Sequence, residues 1–162
     1  TSRQRHKQQL HSWLQDFLPV QLGGQVELLF QAGHAPQLRL DGQPLALSLA
    51  YAGHAALVAV SRQATGIGVD LVWQDDVGND AAQVAAEFFP AAIAHHLAQL
   101  PDWQRRQLFG QQWARLEAAL KAAHLPLAEA QRLTLAQWQR ALPLQGLPPG
   151  YAAALALSNR AG

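Results

Sequence analysis

The stretch that most constrains the fold runs from about residue 102 to 123, where Leu108, Phe109, Trp113, Leu116 and Leu120 recur at helical spacing. A helix of this length presents about 30 Å of amphipathic surface, and its apolar side must be buried against another layer. Trp113 is expected to anchor that side in the core and Leu116 to pack beside it. Glu117 and Lys121 lie one turn apart, a spacing that favours a local ion pair worth about 0.2–0.5 kcal/mol.

The layer opposite this helix should be built from short strands. Residues 26–30, 37–40, 45–51, 55–61 and 67–73 read as strands separated by glycine or proline turns, and Asp41-Gly42 is a strong two-residue hairpin signal. Residues 151–158 read as a last strand after the rigid turn Pro148-Pro149-Gly150, and residues 133–142 suit either helix or strand. Leu10, Trp13, Leu14, Phe17 and Leu18 make residues 3–18 an amphipathic helix, with Pro19 and Gly23-Gly24 as its stop. Residues 81–89 and 91–100 read as two helices punctuated by Pro90, after a polar loop holding Asp75, Asp76 and Asp80. The predicted class is α+β. A weak echo between residues 45–61 and 133–158 suggests two small pseudosymmetric lobes, residues 1–65 and 66–162, with the boundary near 62–66.

Composition removes several functions. Twelve Lys plus Arg against eleven Asp plus Glu give a net charge of +1, which offers no basis for nucleic acid binding. Arg3, Arg5 and Lys7 form the densest basic run, and three charges on one segment read as a solvated end. The chain has no Cys, so disulfides and thiolate zinc sites are excluded. No apolar run is long enough to span a bilayer, and no signal-peptide pattern is visible. Cytoplasmic residence and no membrane insertion are the expectations, and two lobes in one chain would make a monomer sufficient. The chain begins with Thr1 and contains no Met, so the native start is expected to lie upstream.

Two acids stand out: Asp70 on the strand 67–73 and Glu117 on the long helix. Together they are a candidate pair for a divalent cation, because magnesium commonly keeps waters and takes one or two carboxylates plus ligand phosphates. Ordinary surface acids are the competing reading. His95-His96 has no third ligand nearby in sequence and reads as a surface pair. The glycines at 66 and 68 form neither a P-loop nor a dinucleotide fingerprint and suggest a close backbone approach instead. Ser48, Ser61 and the scattered histidines define no hydrolase triad.

The order of several segments resembles the longer, pseudodimeric class of the 4'-phosphopantetheinyl transferase family. These are Gly42-Gln43-Pro44, Gly68-Val69-Asp70-Leu71-Val72, Phe88-Phe89-Pro90, the helix segment 113–121 and Pro149-Gly150-Tyr151. The resemblance implies two α+β lobes that bind coenzyme A between them. It also implies transfer of 4'-phosphopantetheine to a serine of an acyl- or peptidyl-carrier protein, with magnesium on the pyrophosphate and release of adenosine 3',5'-bisphosphate. By the same resemblance Asp70 and Glu117 are the metal-binding acids, Glu117 doubles as the base, and Lys121 meets phosphate.

Several positions depart from the family pattern. Val72 stands where a second strand acid is expected, Leu116 replaces the first helix lysine, and Ala50-Tyr51-Ala52 stands for Ser-His-Ser. Tyr51 would then take the phosphate-contacting place of a histidine, able to donate a hydrogen bond but not an imidazolium charge. Ala35-Pro36 similarly replaces Lys-Pro, and the portion that by the resemblance helps bind the coenzyme A 3'-phosphate is expected ahead of the first helix, upstream of Thr1. Each change removes a charge that an anionic substrate or its metal would use. Two readings follow: a divergent transferase, or a noncatalytic carrier-protein-binding or regulatory protein of the same fold, with the apolar face of helix 3–18 contributing a partner surface.

Overall fold

A computed structural model describes residues 2–159, with side chains from Gln4 onward; Thr1, residues 160–162 and the Arg3 side chain lie outside the described residues. The fold is mixed α+β, with two antiparallel sheets. The first sheet has the order β1-β2-β3-β4, from strands β1 (Val26–Leu29), β2 (Gln37–Leu40), β3 (Gln43–Ala52) and β4 (Ala55–Ser61). The second has the order β5-β7-β6, from β5 (Gly66–Trp73), the two-residue β6 (Leu142–Pro143) and β7 (Tyr151–Ser158). Asp41 and Gly42 form the two-residue turn that pairs Leu40 with Gln43, both at positive φ, the backbone that such a hairpin demands.

Helix α1 (Ser2–Leu22) covers one face of the first sheet. Leu14 and Leu18 are buried there with Leu38, and Leu45, Leu47, Leu49, Val58 and Val60 pack against them. Two sequence expectations fail along α1. The helix runs through Pro19 and ends at Gly23, whose φ of 70° and N–H donated to the Pro19 carbonyl close it. The predicted single apolar face also splits: Leu14 and Leu18 point into the core, while Trp13 and Phe17 stack on each other with their rings substantially exposed.

The other face of the β3–β4 ribbon packs on the second sheet. Period-two alternation turns Ala50, Ala52, Ala55, Leu57 and Ala59 toward Val69, Leu71, Ala153 and Leu155. The residues are mostly alanine, so the layers meet closely. Beyond the second sheet lie α2 (Ala81–Phe88), α3 (Ala91–Gln99) and α4 (Asp102–Ala122), with Leu97, Phe89, Leu116, Leu120 and Trp138 in one core. Residues 133–142 resolve into both elements: α5 (Leu135–Arg140), started by a Thr134–Gln137 capping box, then β6. Asp75 and Asp76 belong to a short 3-10 turn rather than to an irregular loop, and Asp80 stands at the N-cap of α2.

Helix α4 lies directly on β5 and β7. A Cβ on Gly66 would run into the Ala122 carbonyl, and one on Gly68 into the Ala118 carbonyl. On the helix side Ala114, Ala118 and Ala122 meet Ala154 and Ala156 of β7. Two glycines and this row of alanines let helix and strand backbones touch. Residues 66, 68, 70 and 72 share one face of β5, so the same contact brings Asp70 and Val72 against α4.

Candidate functional site

Close α4–β5 packing decides where the predicted residues meet. Asp70, two positions beyond Gly68, faces the turn of α4 that carries Glu117 and Lys121. The Lys121 ammonium donates to Asp70 Oδ1 at 3.1 Å, to the Val69 carbonyl at 2.8 Å and to the Leu49 carbonyl at 3.4 Å. A lysine has three N–H donors, and here each has an acceptor in the chain. The expected Glu117–Lys121 ion pair does not form, because Lys121 reaches across to β5 and β3. Glu117 has no hydrogen-bond or ion-pair partner among the described residues.

Burial raises the Asp70 carboxyl above its ordinary value, opposed by the Lys121 charge and hydrogen bond and by the Leu71 N–H. The Glu117 carboxyl is also raised, first by burial and then by the Asp70 charge, with Lys121 opposing. The two acids thus feel each other while one ammonium stands beside them. Such a site favours a further positive charge or a shared proton. Both acids line a cavity of about 590 Å³, with Val72, Phe109, Trp113 and Tyr51 also on its wall. Val72 adds apolar surface to the lining of the same cavity. Among the described residues no three His, Asp or Glu side chains gather as metal ligands. Two carboxylates still match the small donor set that magnesium accepts when phosphates and waters supply the rest, so the residues fit that ion in this limited sense. Leu116 is not on the cavity at all; it is 1% exposed in the core beneath α4.

Tyr51 lines this cavity too, yet its hydroxyl lies 3.2 Å from His11 Nε2. Alternation along β3 places residue 51 on the same side as Leu47 and Leu49, facing α1. Lys7 stands over the Tyr51 ring at 5.5 Å, and burial raises the phenol above its ordinary value. His11 also stacks on Phe30, and burial, reinforced by the Lys7 charge, lowers its imidazole. A second cavity, of about 680 Å³, adjoins the first through Tyr51, Ala52, Trp73 and Asp76, with His6, Lys7, Trp13 and His54 on its walls.

Sequence reasoning missed this second cavity, together with Lys7, His11, His54 and Trp73. One signal was available: Lys7 and His11 are four apart on a helix, and Tyr51 has the parity of the apolar residues facing that helix. It also missed Ser48, which is buried and accepts a hydrogen bond from the Val69 N–H at 3.0 Å. The pair His95-His96 stays on the surface of α3, where His95 bonds Gln99. Ser61 receives the N–H groups of Gln63 and Ala64 in a local turn.

Residues 66–145 match the model of the 4'-phosphopantetheinyl transferase superfamily. The matched segment runs from β5 through α4 to β6 and so contains Asp70, Val72, Glu117 and Lys121. The similarity is to the superfamily as a whole. No curated protein matches the chain. No helix among the described residues is long and apolar enough to cross a membrane.

Proposed function

We propose that the chain is a divergent 4'-phosphopantetheinyl transferase, and one observation carries this reading: Asp70 and Glu117 share a cavity wall, both carboxyls raised, inside the segment similar to that superfamily. The substrate would be coenzyme A, and the acceptor a serine of an acyl- or peptidyl-carrier protein, with the cytoplasm as the compartment. In our reading residues 1–65 and 66–162 are two pseudosymmetric lobes. The presence of one sheet on each side of residues 62–66 supports that division.

Glu117 is the proposed base. It lies on the cavity, and among the described residues its carboxylate has no internal partner, which leaves an oxygen open to accept the serine proton. The serine oxygen then bonds to the phosphorus bearing the pantetheine arm, and the bond to adenosine 3',5'-bisphosphate breaks. Asp70 and Glu117 would hold magnesium, which when bound neutralises charge developing on the pyrophosphate. Lys121 would meet a phosphate oxygen if its ammonium turned outward from Asp70. Tyr51, Lys7 and His6 line the adjoining cavity, which offers aromatic and cationic surface to the nucleotide end of the substrate.

A second reading has its own support. Lys121 directs all three donors inside the chain and Val72 is apolar, so the fold would also serve a carrier-binding protein without turnover. Incubation with magnesium, coenzyme A and a panel of apo carrier proteins, followed by mass spectrometry, separates the two. Transfer above background that disappears in folded Glu117→Ala establishes the enzyme. No transfer, on a panel that an active family member modifies, together with direct carrier binding, establishes the second reading.

A further inference from the structure

We propose that Lys121 is the resident counter-ion of the acid pair and that a divalent cation binds by exchange, releasing the Lys121 ammonium from Asp70. This inference rests on the metal-binding part of the function proposed above.

The argument begins with stoichiometry. Asp70 and Glu117 are two acids lining one cavity, and among the described residues the one positive charge paired with either is Lys121, on Asp70 alone. Its ammonium sits on Asp70 and on two carbonyls of neighbouring strands, Val69 of β5 and Leu49 of β3. In this arrangement the lysine occupies the carboxylate that a divalent ion would need. Glu117, without a partner among the described residues, is the open half of the site.

Two cations on one carboxylate repel. A doubly charged ion gathers both acids, whereas the ammonium holds only one, so arrival of the ion weakens the Asp70–Lys121 contact. The Val69 carbonyl, at 2.8 Å, can keep its hydrogen bond while the ammonium gives up Asp70. The lysine side chain is about one-third exposed, so solvent and an incoming phosphate oxygen can both reach it. Lys121 is thus an internal cap on the acid pair, and the freed charge becomes available for phosphate only after the metal has taken the carboxylates. Such a device would order the binding events, metal before phosphate contact, without any backbone movement.

The chain contains two lysines, Lys7 and Lys121, which makes the test direct. The full chain with 13C-labelled lysine Cε would be titrated with magnesium chloride alone and followed by NMR, with Lys7 as the internal control. We expect the Lys121 signal to shift saturably while that of Lys7 stays in place. Calorimetry on Lys121→Met should show magnesium binding roughly tenfold tighter than in wild type, since a neighbouring full charge commonly shifts a site by at least a factor of ten. If Lys121→Met fails to fold, the wild-type titration decides alone. Saturable magnesium binding that is lost in Asp70→Asn but leaves the Lys121 signal unmoved would overturn the exchange while leaving the transferase reading intact. Absence of saturable binding in wild type would overturn the exchange as well. The carrier-protein assay judges transfer separately, since it reads the modified serine rather than the ion.

Discussion

Glu117 holds its charge on a half-buried helix face with no partner among the described residues, beside an acid that already has one, and its pH behaviour follows from that. Its proton affinity is higher in the folded chain than in the unfolded one, because burial and then Asp70 oppose ionisation. Ionising it therefore costs stability. The cost is absent below about pH 4, the ordinary carboxylate range, and grows as pH rises through the raised folded value. Glu117→Gln should melt at a higher temperature than wild type at pH 7.5, with the gap closing toward pH 4, as scanning calorimetry would read. The same substitution should lower transfer by about 10²-fold or more, the usual contribution of a positioned base. Much of this site was legible from residue type and order: Asp70, Glu117 and Lys121 stand out in the sequence alone. The pairing does not. A local rule favours Glu117 with Lys121 at four residues, but the partner actually taken is 51 positions away, and that choice depends on how closely α4 approaches β5.

At the scale of elements, that approach rests on glycine. Gly68→Ala would drive a methyl group into the Ala118 carbonyl, and backbone on both sides leaves nothing soft to yield. A cost of about 1–3 kcal/mol or more is expected, read by urea unfolding, with loss of transfer because Glu117 and Lys121 move with the helix. Gly110 in the same helix makes the contrast. A methyl group there meets side-chain carbons alone, Val72 Cγ1 at 3.4 Å, Ala152 Cβ at 3.7 Å and Val72 Cβ at 3.9 Å, all ordinary contacts, so Gly110→Ala should be stabilising by about 0.5–1 kcal/mol through helix propensity. If both glycine substitutions cost the same, the close-contact account of α4 and β5 is wrong. The elements themselves were readable where local chemistry decides: Asp41-Gly42 demands a hairpin, and alternation marks β3 and β4. They were misread where tertiary packing overrides. Pro19 reads as a stop, yet α1 continues to Leu22 because leucines on its inner side bury against the first sheet. Residues 133–142 looked ambiguous because they are a helix and a strand fragment in succession.

For the whole molecule, the decisive joint is where the two sheets meet at Val69. In the strand order β5-β7-β6, β5 has one edge without a strand neighbour, and unpaired edge groups are costly when buried. The Val69 N–H finds Ser48 of β3, and the Val69 carbonyl finds Lys121 of α4, which also holds Leu49 of β3. One residue's backbone thus links both sheets and the central helix through side chains rather than a ladder. Ser48→Ala keeps the backbone and nearly the volume but leaves a buried N–H without its acceptor, at an expected cost of about 1–3 kcal/mol. The two sheets share the alanine-rich layer around Ala50 and Ala153, so they should lose structure together. Urea titration followed in parallel by tryptophan fluorescence and far-ultraviolet circular dichroism should give one coincident transition for wild type and for Ser48→Ala, the latter at a lower midpoint with the slope unchanged. All five tryptophans lie outside the first sheet's strands, and Trp73, Trp113 and Trp138 report on the second sheet and its helices. A fluorescence transition that stayed in place while the circular dichroism transition moved would mean that the sheets fold independently and that the Val69 joint does not couple them.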